Sequence, residues 1–160
     1  MSYIKYKKAL ELIHKCEDYD PWIGQPSSVI NKAEILIGIN FSKQMKEYLA
    51  NLGCVSFSGN EIYGIVKDNF DDLSTLTGQI VQTTLIYRKQ YNLPYEWIPI
   101  YNYGFNGYYA CLDYNQLNEE GEPPVIMMGW DGEKYFIVEK IAEDFGDFLL
   151  ELAEKALENI

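Results

Sequence analysis

The spacing of apolar residues changes period at Gly53, and that change divides what this chain can build. Before it, apolar side chains recur every three or four residues, the spacing of a helix with one buried face. Lys5–Glu17 reads as a first helix with Tyr6, Ala9, Leu10, Ile13 and Cys16 on its inner side. Residues 18–26, with two prolines and Gly24, read as an irregular loop. Ser28 then opens a short helix closed by Gly38, and Ser42 opens another closed by Gly53, each a cap-to-glycine unit. Beyond Gly53, short alternating runs are punctuated by turn residues. Cys54–Phe57 and Glu61–Val66 flank Ser58-Gly59-Asn60, the composition of a hairpin. After an acidic loop at 67–73, Thr75 or Thr77 opens a fourth helix that stops before Pro94. Strands follow at Glu96–Asn102, Tyr108–Asp113, Pro124–Trp130 and Tyr135–Lys140, and a last helix runs from about Ala142 to Asn159. That order predicts an α+β fold: a largely antiparallel sheet, made of a hairpin plus a meander, packed with N-terminal, middle and C-terminal helices.

At 160 residues the chain suits a single domain over 1–160. With 48% hydrophobic and 23% charged residues it is too apolar for disorder. There is no secretory start, and no apolar run approaches the ~20 residues that span a bilayer. Three scattered cysteines, Cys16, Cys54 and Cys111, suit reduced thiols in a cytoplasm better than a disulfide framework. The net charge of −11 is concentrated. Residues 1–90 balance ten basic against ten acidic side chains, while residues 91–160 set three lysines against fourteen acids. Such a field disfavours direct nucleic-acid and membrane contact and draws in cationic partners, although solubility alone also accounts for it.

Catalytic signatures do not assemble. The only histidine, His14, reads as an ordinary helix residue, so no metal pair or acid–base relay is expected. Cys111, between Ala110 and Leu112, reads as core, and no phosphate-cradling glycine motif occurs. Asp113–Pro124 begins like a calcium loop but puts Leu117 and Pro124 where ligands are required. The expectation is a non-enzyme without metal or cofactor, with a hydrolase of a cationic substrate as the alternative. Eight of the fourteen tyrosines lie between Tyr87 and Tyr114, interleaved with the meander. Alternation along a strand puts some of them outside the core, where tyrosine is a good contact residue. Charge and aromatic placement make Tyr101, Tyr103, Tyr108, Glu119, Glu120, Trp130 and Asp131 the candidate partner-binding residues.

The ordered motifs resemble the SUKH superfamily, which includes the Smi/Knr cell-wall regulators and many bacterial immunity proteins. The resemblance rests on Val29–Glu34 ending at Gly38, Met45–Leu49 ending at Gly53, and the Phe57–Ile65 hairpin with its Ile62-Tyr63-Gly64-Ile65 close. It continues through Trp97-Ile98-Pro99-Ile100, Tyr109–Asp113, Pro124-Val125 with Trp130, and Ala142–Leu149. It covers about residues 26–153, with the helix at 3–18 as an extension. Where the family often has Leu-Pro entering the second matched helix, this chain has Asn40-Phe41-Ser42, and Arg88 stands for the usual arginine-bearing stretch. The resemblance implies a bacterial cytoplasmic immunity protein that binds and neutralises a cognate toxin domain, a nuclease with a basic phosphate-gripping surface. A regulatory interaction scaffold of the Smi/Knr type is the other function it implies, and a homodimer is compatible with either.

Overall fold

The computed structural model of the chain describes residues 2–71, 79–105 and 107–158. In chain order these form α1 (Ser2–Ile13), β1 (Asp20–Pro21), α2 (Ser27–Ile37), α3 (Lys43–Asn51), β2 (Val55–Phe57) and β3 (Asn60–Ile62). Then come α4 (Ile80–Tyr91), β4 (Trp97–Asn102), β5 (Tyr109–Asp113), β6 (Val125–Trp130), β7 (Tyr135–Ala142) and α5 (Phe145–Glu158). The architecture is α+β with two antiparallel sheets, ordered β1-β2-β3 and β4-β5-β6-β7. The sheets meet where the Tyr63 amide donates to the Ile100 carbonyl at 2.9 Å.

The helices bury the faces their spacing marks. Tyr6, Ala9, Ile13 and Cys16 are buried along and just beyond α1, opposite Phe145, Phe148 and Leu149 of α5 in one cluster. Gly146 makes that approach possible, because a Cβ there would stand 2.8 Å from the Tyr6 backbone nitrogen. Ser42 caps α3 by accepting from the Met45 amide at 3.4 Å, and Gly38 closes α2 in the left-handed region at φ 79°. Alternation in β5 sends Ala110 and Leu112 into the main cluster and Cys111 to the other face of the sheet. There Cys111 joins Leu93, Trp97, Ile126 and Met128 in a smaller cluster beside Tyr87 of α4.

Several details differ from the expectation. Asp20–Pro21, inside the expected loop, forms a short edge strand paired with β2, a place where proline's missing N–H costs no ladder bond. Pro26 occupies the cap of α2, its carbonyl accepting from the Val29 and Ile30 amides, so Ser28 lies inside the first turn. The expected helix openings at Thr75 and Thr77 fall outside the described residues, as does Asn159. β7 runs on to Ala142, so α5 begins three residues later than expected, at Phe145. Asp144 therefore precedes the helix instead of lying within it. It is fully buried at the start of α5, where its carboxylate accepts from the Asp147 amide at 2.9 Å.

Candidate functional site

The β4–β5 and β6–β7 connections emerge at one end of the four-stranded sheet, and the aromatic residues gather around them. On the α5 face, Tyr101 meets Tyr103 edge-on at 5.0 Å between ring centroids and Phe148 at 5.8 Å. The row continues from Tyr103 to Phe105 at 6.4 Å and from Phe105 to Tyr108 at 5.4 Å. Gly129 leaves the room for its far end. A Cβ there would lie 2.7 Å from both the Tyr108 and Phe136 rings. Tyr101 is fixed at its tip, donating to Asn60 Oδ1 at 2.8 Å. Phe105 is more than half exposed, so the row is open to solvent along part of its length.

Acids stand around this row. Tyr103 lines a cavity of about 380 Å³ between β6, β7 and α5, together with Met127, Glu139, Phe148 and Glu151. Burial first, then Tyr101, Glu139 and Glu151, push the Tyr103 hydroxyl up to about 12, so it remains a neutral hydrogen-bond donor. Burial and the nearby Asp147 also raise the Glu151 carboxyl. Lys140 and Lys155 line the same cavity, and Lys140 is paired with Glu143 at 2.8 Å.

On the opposite face, Trp130 packs against Tyr91 at 5.3 Å and Tyr135 at 4.8 Å. Tyr87 meets Tyr109 at 5.7 Å, and their hydroxyls are 2.8 Å apart. These five rings and Gly107 line a second cavity of about 190 Å³. Asp131 follows Trp130 in the turn. Its exposed carboxylate is held below the usual range because it accepts from the Lys134 and Glu133 amides.

Of the candidate residues, Tyr101, Tyr103 and Tyr108 therefore share one row, while Trp130 lies on the other face of the same sheet end with Asp131 beside it. Glu119 and Glu120 are not brought together with them. They are exposed in the β5–β6 connection at the opposite end, a strand of five residues away, roughly 16 Å at the usual rise per residue. Glu139, Glu151, Phe105 and the Tyr87–Tyr91–Tyr135 group were missed by reading charge and tyrosine density alone. The i,i+4 pair Tyr87/Tyr91 and the hairpin neighbours Trp130/Tyr135 carried a signal for the last group, since both spacings bring rings together.

The acidity also divides. Asp113, Glu122, Asp131, Asp144 and Asp147 accept hydrogen bonds from backbone amides at turns and helix starts. Glu122 and Asp144 are buried, and Glu122 reaches from the β5–β6 connection to the Gln44 amide in the first turn of α3. Asp131 and the other nine acids of residues 91–160 are exposed, and it is these ten that form the outward field.

No curated protein matches the chain. A family model does: SUKH_5, described as SMI1-KNR4 cell-wall, aligns with residues 9–154, from within α1 to near the end of α5. With helices, hairpin, middle helix, meander and closing helix all inside the matched span, the chain belongs to the SMI1-KNR4 family of the SUKH superfamily.

Proposed function

We propose that this protein works by binding, as an immunity protein that occupies the basic surface of a toxin domain, a nuclease acting in the cytoplasm. The observation that carries this reading is the Tyr101–Tyr103–Phe105–Tyr108 row with Glu139 and Glu151 beside Tyr103. Rigid aromatic area supplies contact at low entropic cost, and surrounding carboxylates steer a cationic partner and set its register. A nuclease surface that grips phosphates has the complementary charge. The buried carboxylates are engaged and closed off from solvent, Glu122 and Asp144 at helix starts and Asp113 on the Asn115 amide and Gln116 side chain, which favours binding over hydrolysis of a cationic substrate.

Co-expression with a candidate nuclease toxin domain tests the reading. The expected result is survival and a 1:1 complex that weakens as salt rises, because the Debye length shrinks from about 10 Å at 0.1 M to 3 Å at 1 M. Reversing Glu139 and Glu151 to lysine should slow association by about tenfold. Reversing Glu119 and Glu120, a strand length away, should change it less. A toxin that stays lethal with the protein abundant rules out immunity. An association rate indifferent to Glu139→Lys and Glu151→Lys rules out this face.

A further inference from the structure

The cavity on the α4 face has a chemistry distinct from the row across the sheet. Its walls are Tyr87, Tyr91, Tyr109, Trp130 and Tyr135, and its floor includes Gly107. Most of the ring pairs meet edge-on, while Tyr87 and Tyr135 are near parallel, 24° apart with centroids at 6.5 Å. Tyr87 meets Tyr91 at 81° and Tyr109 at 84°, and Tyr91 meets Tyr135 at 85°. In an edge-on pair one ring turns its edge to the face of the other, so the first ring's own faces stay free of that contact. Its volume of about 190 Å³ is below the roughly 300–1,000 Å³ typical of small-molecule sites. That is room for the head of one side chain.

A ring face attracts a cation, and tyrosine and tryptophan attract it most. The cation–π pairs the chain makes with its own basic residues lie elsewhere, at Tyr3, Phe70 and Tyr95. Arg88, one residue from Tyr87, is turned away: its guanidinium lies 3.9 Å from the Tyr95 centroid and donates to the Ile37 and Tyr95 carbonyls. The turn that joins the lining residues Trp130 and Tyr135 carries the exposed acids Asp131 and Glu133, along with Lys134. Two of the lining residues, Tyr87 and Tyr109, also bring hydroxyls 2.8 Å apart.

The geometry points to this box as a receptor for one arginine side chain of a cationic protein partner. Arginine suits it better than lysine because the guanidinium is planar, weakly hydrated and able to stack while still donating at its edges. The choice of a protein as the source rests on the binding function proposed above. The cation preference of the box does not.

The test uses the whole chain and N-acetyl-arginine amide, titrated while the Trp130 indole N–H is followed by NMR and assigned by its loss in Trp130→Phe. The expected result is a saturable shift, about tenfold weaker with the uncharged citrulline analogue. Tyr91 is 39% exposed, so Tyr91→Ala leaves the core intact and should abolish the shift, while Tyr91→Phe should retain it. Equal binding of citrulline would mean an apolar slot. A shift surviving in Tyr91→Ala would mean diffuse attraction to an acidic surface. Saturation by tetramethylammonium but not by the arginine amide would mean a small quaternary-ammonium site. Any of these, or the absence of saturation, overturns the proposal. No toxin enters the experiment, so its failure leaves the immunity reading standing, and failed protection leaves the box.

Discussion

Gly146 and Glu122 show how single residues hold this molecule together. At Gly146, a Cβ would meet the Tyr6 nitrogen, Cβ and Cα at 2.8–2.9 Å, none of which a side-chain rotation can move away. Alanine gains at most about 1 kcal/mol of helix propensity, whereas overpacking costs about 1–3 kcal/mol, so the steric term wins. Gly146→Ala should therefore lower the urea midpoint by the equivalent of roughly 1–2 kcal/mol. An unchanged or raised midpoint would show that α1 and α5 can separate freely. Glu122 makes a prediction in pH. Burial raises its carboxyl above the ordinary glutamate value of 4.5, outweighing the Ser42 and Gln44 hydrogen bonds that lower it. Just above 4.5 the folded chain thus holds a proton that the unfolded chain has lost, and stability falls as pH rises through that window. The stability of the native protein minus that of Glu122→Gln should decline across the window and then level off. A difference that climbs with pH contradicts the assignment. Neither residue announces itself in sequence, since a glycine in a helix and a glutamate in an acidic loop both look expendable until the distant partner is known.

Among the elements, the helices were legible wherever their apolar spacing was regular, and their starts were less so. Ser42 caps as its position suggests, but Pro26 takes the place expected of Ser28 because its extended backbone already turns the carbonyl toward Val29 and Ile30. β1 was hidden because two residues carry no period, and its pairing with β2 depends on a strand over thirty residues away. β7 is more informative. It pairs with β6 across two register shifts, and Phe136, Ile137 and Val138 are exposed along it. Irregular pairing bends an edge strand and discourages further strands from adding to it. A lysine at Ile137, which is half exposed, should change stability by no more than about 0.5 kcal/mol. A larger loss in thermal or urea unfolding would place Ile137 in a contact that the isolated chain does not show.

At the scale of the whole molecule, the charge asymmetry read from sequence has a physical division within it. Three acids of the last seventy residues are buried, Asp147 is half-buried and ten face outward, so composition alone overstates the surface field. Tyrosine density points to one end of the sheet but does not separate its two faces, because the parity along β4 depends on a register shift between Pro99 and Tyr101 that no local pattern reveals. The same topology separates Glu119 and Glu120 from Tyr101, Tyr103 and Tyr108, which proximity in sequence could not do. The central claim is that partners are met at the end of the sheet where the β4–β5 and β6–β7 connections emerge. Amide hydrogen exchange of a complex with the proposed toxin partner, compared with the protein alone, measures this directly. The account predicts slowed exchange at residues 101–105, 107–109 and 130–141 and on the outer face of α5, with α2 and the β5–β6 connection unchanged. Protection confined to α2 or to residues 114–122, with the aromatic end exchanging as before, would contradict it.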